Sequence, residues 1–155
     1  MYKRQDKKHL FTFGGEHKRF TAGTERVVVN FRGVRILLEI CYDLRFPVWA
    51  RNLGDYDMIL YVASWPTPRV DAWSALLRAR AIENQCYVAG VNRMGVDPAC
   101  EYSGGSAIID PYGKTIAECP WSRESAVSAD IDMEALQAFR KKFPVLDDAD
   151  PFTLI

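Results

Sequence analysis

The chain has 155 residues, 48% of them hydrophobic, and its 20 Lys and Arg balance its 20 Asp and Glu at a formal net charge of zero. That length fits one domain with a real core and argues against disorder. The neutral balance, with no basic stripe interleaved with aromatics, argues against a nucleic-acid partner. The basic cluster Met1 to Lys8 is short and contains Asp6. No apolar run reaches membrane-spanning length and no secretory leader opens the chain, so a cytoplasmic protein is expected.

In chain order, Arg26 to Phe31 reads as a strand, Arg32-Gly33 as a turn and Val34 to Cys41 as the returning strand of a hairpin. Phe46 to Leu53 reads as a short helix stopped by Gly54, and Tyr56 to Ala63 as a buried strand. Two prolines make Ser64 to Pro68 a rigid loop. Val70 to Asn84 is the clearest helix, with Trp73, Leu76, Leu77, Arg80, Ala81 and Asn84 at helical spacing. Cys86 to Val91 is another buried strand. Tyr102 to Cys119 reads as two strands around the turn Asp110-Pro111-Tyr112-Gly113, and Ala126 to Ile131 as a further strand. Asp132 caps a last helix from Met133 to Lys142, followed by an acidic extended tail. Strands and helices alternate in the middle and hairpins flank them, which predicts an α/β fold with a mixed sheet.

Cys41 is the candidate nucleophile. It stands where an apolar strand ends abruptly in the polar turn Cys41-Tyr42-Asp43, held by the one and exposed by the other. The turn can also aim backbone N–H groups at a reacting carbonyl oxygen. A cysteine enzyme ordinarily pairs its thiol with a histidine, and the chain offers His9 and His17; the sequence brings neither to Cys41. A lysine beside the thiol, Lys7 or Lys8, would lower its pKa and stabilise an oxyanion, although surface lysines are usually just solvated. Glu16 follows Gly14-Gly15, where the chain can turn tightly; its plain reading is a surface carboxylate. The other cysteines read as core (Cys86) and as incidental surface or hairpin residues (Cys100, Cys119). Wide spacing gives no support to a zinc site, and with no export signal read in the sequence disulfides are not expected either. Gly104-Gly105-Ser106 lacks the Gly-Lys-Ser/Thr ending of a phosphate loop, and Arg80 with Glu83 reads as a structural ion pair.

Taken together, these segments resemble the nitrilase superfamily of carbon–nitrogen hydrolases. Lys7-Lys8-His9-Leu10-Phe11 resembles its lysine motif, and Cys41-Tyr42-Asp43-Leu44-Arg45-Phe46-Pro47 its nucleophile motif. Arg80-Ala81-Ile82-Glu83-Asn84-Gln85 and Gly104-x-Ser106-x-Ile108-x-x-Pro111-x-Gly113 match further blocks in the right order. Gly14-Gly15-Glu16-His17 and Ala63-Ser64-Trp65-Pro66-x-Pro68-Arg69 look most like the omega-amidase branch, which acts on monoamides such as 2-oxoglutaramate. The resemblance implies a thioester mechanism. Cys41 attacks the amide carbonyl, Lys7 and the backbone N–H of Tyr42 hold the oxyanion, and Glu16 positions Lys7. Trp65 and Arg69 are the implied substrate contacts. It implies no metal or organic cofactor, structural roles for both histidines, and homo-oligomers built on the helices flanking the sheets. The implied fold is a four-layer α-β-β-α sandwich, of which residues 1–155 would be the C-terminal portion. The early strands and the general-base glutamate would then lie outside the chain. Without that base the alternative is a non-catalytic remnant that serves as an interaction or assembly module.

Overall fold

The computed structural model describes residues 4–153; Met1, Tyr2 and Lys3 of the basic cluster, and residues 154–155, lie outside the described residues. Eight strands and three helices follow one another as β1 (Val27–Phe31), β2 (Val34–Ile40), α1 (Pro47–Ala50), β3 (Met58–Ala63), α2 (Val70–Glu83), β4 (Tyr87–Asn92), β5 (Met94–Val96), β6 (Glu101–Ser103), β7 (Ala107–Ile109), β8 (Thr115–Glu118) and α3 (Met133–Lys142). Six strands form one sheet in the order β1-β2-β3-β4-β7-β8, and β5 with β6 form a separate ribbon. The centre, β2-β3-β4, is parallel and the flanks are antiparallel, so the sheet is mixed as expected. Helix α2 is the long connection that two parallel neighbours require between β3 and β4.

The core is a row of side chains on one face of that sheet. Leu37, Ile59, Val88 and Ile109 stand opposite one another across β2, β3, β4 and β7, and none exceeds 2% exposure. Trp73, Leu77 and Ala81 of α2 are buried with them. The helix reaches the sheet closely because β4 carries Gly90: a Cβ there would lie 2.5 Å from Leu77 Cδ1 and 2.8 Å from Trp73 Cζ2. Side chains alternate in a strand, so the neighbouring row points the other way. That row is also apolar yet far less covered, with Val62 46% and Val91 49% exposed.

Three expectations change. The helix expected over Phe46 to Leu53 is a single turn, because Arg51 turns extended and Asn52 is drawn away, its backbone N–H donating to Asn84 Oδ1 at 2.8 Å and its amide to Tyr56 O at 3.2 Å. The strand expected over Ala126 to Ile131 does not form; that stretch pairs with no strand among the described residues and is mostly exposed, and a strand without a neighbour leaves its backbone groups to water. Of the two strands expected between Tyr102 and Cys119, the first divides: β6 leaves for the ribbon and β7 joins the sheet. Cys119, expected as an incidental surface or hairpin residue, closes the β7-β8 hairpin, its N–H donating to Ser106 O at 2.9 Å, and is 8% exposed. The capped helix α3 matches its expectation, with Asp132 accepting from the Ala135 N–H at 2.8 Å and Leu136 buried. No helix among the described residues is long and apolar enough to cross a membrane.

Candidate active site

At the end of β2 the backbone turns sharply through Cys41, whose φ of +48° lies in the left-handed region that a side chain ordinarily avoids. A 3₁₀ turn, Cys41–Arg45, starts there. The first N–H groups of such a turn have no partner inside it, and Tyr42 contributes one of them. The elbow is held by Asp43, fully buried, which accepts from the Ile40 N–H at 3.2 Å.

The lysine segment folds over this elbow. Thr12–Gly14 and Glu16–Lys18 are two short 3₁₀ turns joined by Gly15, whose φ of +76° suits glycine. The reversal swings the Glu16 carboxylate back onto Lys7, with Nζ at 2.9 and 2.7 Å from the two oxygens, and onto the Phe11 N–H at 2.8 Å. Gly23 N–H donates to Lys7 O at 2.8 Å and fixes the other side of the segment. Phe11 packs edge-on against Tyr42, with ring centroids 5.0 Å apart. His9 donates its backbone N–H to Asp43 at 2.8 Å and stacks on Phe46 at 3.7 Å; His17 is exposed. Neither histidine is bonded to the thiol, so a Cys–His dyad is not what the geometry offers. The thiol instead donates to Ser64 O at 3.8 Å.

Lys7, Glu16, Cys41, Tyr42, Trp65 and Arg69, the six residues singled out in the sequence, all line one open cavity of about 1250 Å³. Burial pushes the Cys41 thiol up and the Lys7 ammonium pulls it back, with the net shift upward. The resting thiol therefore carries its proton. Trp65 is buried, its indole N–H bonded to Arg69 O at 2.7 Å. The Arg69 guanidinium lies over the Phe11 ring at 5.5 Å and pairs with no carboxylate among the described residues. Arg80 and Glu83 do form the expected structural pair, at 2.9 Å, and Arg80 also reaches Leu44 O beneath the elbow.

Sequence reading missed four contributors. Arg45, which lies over Trp65 at 5.0 Å, and Cys100 and Tyr102 from the β5-β6 ribbon line the same cavity. Glu39 does not line it but is buried in β2, two residues before Cys41. A charged residue inside the apolar run Ile36 to Ile40 was the available signal for Glu39, since such a position is buried by pattern. Glu39 is 2% exposed and neither carboxyl oxygen has a hydrogen-bond partner. Burial first, and then the nearby Asp43 charge, push its carboxyl up to about 8. A carboxyl that stays protonated in the fold but ionises near 4.5 in the open chain costs stability as pH rises through that window. Glu39→Gln should remove that slope. In urea melts the variant should match the wild type near pH 4 and exceed it at pH 8 by on the order of 2–4 kcal/mol. Equal gaps at both pH values would refute this account of Glu39.

The profile of the carbon–nitrogen hydrolase family matches residues 2–141. The chain is 54% identical over 150 residues to an Escherichia coli (strain K12) protein named omega-amidase YafV, covering 96% of this chain and 59% of that one. It is 43% identical over 144 residues to a Bacillus subtilis (strain 168) 2-oxoglutaramate amidase, covering 92% of this chain and 55% of that one. Among solved structures, a CN-hydrolase superfamily protein of Xanthomonas campestris, with an arsenic adduct in its active site, superposes with a TM-score of 0.93 at 48% identity, over 97% of this chain and 60% of that one. The chain thus spans a little over half the length of these relatives. A profile match over nearly the whole chain, high identity and a shared fold agree: the chain belongs to the carbon–nitrogen hydrolase family of the nitrilase superfamily.

Proposed function

We propose that these residues form the Cys41-bearing part of an amidase that releases ammonia from a small amide carrying a remote carboxylate, of the 2-oxoglutaramate type. The observation that carries the reading is one cavity lined by Cys41, by the Lys7–Glu16 pair and by two arginines, Arg45 and Arg69, that lack a carboxylate partner among the described residues. An unpaired guanidinium fits a substrate carboxylate through two parallel hydrogen bonds. Two of the named relatives are an omega-amidase and a 2-oxoglutaramate amidase, which is consistent with that substrate class.

In the proposed reaction Cys41 loses its proton and its sulfur bonds to the amide carbonyl carbon. The carbonyl oxygen becomes an oxyanion that Lys7 Nζ and the Tyr42 N–H stabilise. The C–N bond breaks, the nitrogen takes a proton and leaves as ammonia, and a thioester remains. Water then attacks the thioester carbon, the C–S bond breaks, the thiol recovers its proton and the acid departs. Lys7 cannot be the base, because an ammonium has no acceptor site. Glu16 already accepts from Lys7 and from Phe11 N–H. The base, in this reading, is a glutamate of the remaining length that relatives possess and residues 1–155 do not span. The same missing part would cover the apolar row that includes Val62 and Val91. General base catalysis is worth about 10²–10⁴-fold, so these residues alone would turn over poorly. The alternative of a non-catalytic assembly module leaves the Lys7–Glu16 pair and the Cys41 elbow without a purpose.

The test is ammonia release from 2-oxoglutaramate by these residues joined to the upstream part of the fold. Arg45→Met and Arg69→Met should each raise KM for this anionic amide by about 10–100-fold, the worth of a charge-assisted hydrogen bond, and leave a neutral short-chain amide unaffected. No ammonia from any amide would sink the reading.

A further inference from the structure

Asp43 links the two segments that carry the chemistry. It sits at 0% exposure between them. On the nucleophile side its Oδ2 accepts from the Ile40 N–H at 3.2 Å, one residue before Cys41. On the lysine side its Oδ1 accepts from the His9 N–H at 2.8 Å, two residues after Lys7, and meets His9 Nδ1 at 2.9 Å. A carboxylate oxygen that already takes the His9 N–H is met here as an acceptor, so His9 Nδ1 carries the hydrogen in this contact. The His9 ring is fixed a second time by its stack on Phe46, at 3.7 Å and nearly parallel. Phe46 directly follows the turn that begins with Cys41, so the turn is held to the lysine segment at its middle, through Asp43, and just past its end. No other side-chain hydrogen bond joins residues 7–9 to residues 40–46 among the described residues.

We propose that Asp43 is a positioning residue: by clamping the His9 segment to the Cys41 elbow, it holds the Lys7 ammonium where the nucleophile and its oxyanion need it. This rests on Cys41 being the nucleophile, yet its test reads geometry and requires no turnover. A sub-ångström to one-ångström drift of Lys7 is enough to degrade such a site. His9, which has no contact with the thiol, gains a purpose as the other half of the clamp.

The charges facing the thiol are Lys7, which lowers its pKa, and Glu16 and Asp43, which raise it. Arg45, Arg69 and Tyr102 line the same cavity, and Glu39 bears on Asp43 from below. Two mechanisms therefore predict opposite signs. If Asp43 acts only as a nearby negative charge, Asp43→Asn makes the thiolate easier to form and the pH midpoint of Cys41 alkylation falls. If Asp43 is the clamp, Asn leaves an NH₂ facing one of the N–H donors, the lysine segment loosens and Lys7 loses its hold on the thiol. The midpoint then rises.

The experiment alkylates the full chain with iodoacetamide across pH, reads Cys41 by peptide mass spectrometry, and follows amide exchange over residues 5–16 and 38–44. The expected result is a higher midpoint in Asp43→Asn, approaching that of Lys7→Met, no further rise in the double variant, and faster exchange in both segments. His9→Phe keeps the stack on Phe46 and removes Nδ1, so it should shift the midpoint the same way by less, and it carries the test should Asp43→Asn fail to fold. A lower or unchanged midpoint in a folded Asp43→Asn, full additivity with Lys7→Met, or unchanged exchange across residues 5–16 would overturn the proposal. So would an unchanged midpoint in His9→Phe where Asp43→Asn does not fold. Absent ammonia release from the whole enzyme would count against the amidase reading and leave these measurements standing.

Discussion

Cys41→Ser, made in these residues joined to the remaining length that the relatives possess, should cut ammonia release from 2-oxoglutaramate by about 10⁴-fold or more, the scale on which enzymes lose rate when a nucleophile is removed. Serine keeps a hydrogen-bond donor for Ser64 O and adds no bulk, so the elbow at φ +48° should persist and the melting temperature should stay within a few degrees. The rate falls because a hydroxyl is a far weaker nucleophile than a thiol at neutral pH and gives up its proton far less readily, so a base that suffices for the thiol does not suffice for serine. Lys7→Met should cost less, about 10²–10³-fold, since it removes one oxyanion donor and leaves the Tyr42 N–H in place. It also strands the Glu16 carboxylate beside Cys41, so the residual activity should require higher pH. A Cys41→Ser variant with unchanged steady-state rate would remove the thioester from consideration.

The elbow was legible because two signals coincide in a few residues. The apolar run Ile36 to Ile40 stops at a polar turn, and a cysteine stands at the boundary. Helix α2 was legible because its period survives in the side chains it buries, Trp73, Leu77, Arg80 and Ala81. The Lys7–Glu16 pair was legible only through the family resemblance. Eight residues, with a 3₁₀ turn and the Gly15 reversal among them, separate the partners, and no local periodicity measures that path. The β5-β6 ribbon was missed because each strand has three residues and depends on its partner rather than on pattern. Its consequence is functional, since the ribbon brings Tyr102 and Cys100 to the cavity. The stretch Ala126 to Ile131 failed for the converse reason: alternation alone does not make a strand, and among the described residues no neighbouring strand pairs with it. Asp43 and Glu39 were read as a motif letter and a strand residue. Their roles depend on who lies above and below them, which only the fold supplies.

The largest effect on stability should come from Asp57→Ala. Asp57 ends the loop into β3 and is 2% exposed. Its carboxylate takes three N–H groups of Arg35 in β2, with contacts of 2.7 to 3.2 Å, and Arg140 Nη1 from α3 at 3.0 Å. Its backbone joins the same strands, donating to Arg35 O and accepting from Tyr87 N–H. The backbone of Asp57 thus supports the parallel register Ile36 to Met58 to Tyr87, while its side chain ties Arg35 of β2 to Arg140 and so docks the C-terminal helix on the sheet. Alanine would leave Arg140, whose side chain is 14% exposed, without its carboxylate. Breaking one partner of a buried pair costs about 3–5 kcal/mol. Asp57→Asn keeps an acceptor for Arg35 and should cost roughly half as much. The pH dependence checks the cause. Burial pushes this carboxyl up, but the Arg35 hydrogen bonds and the Arg140 charge outweigh it, so the value falls below its ordinary 3.8. A depressed carboxyl stabilises the fold at neutral pH and loses that contribution as pH drops below 3.8. The gap between wild type and Asp57→Ala in urea melts should therefore be widest near pH 7 and narrow toward pH 2. A gap that stayed constant across that range would mean that Asp57 acts through packing rather than charge.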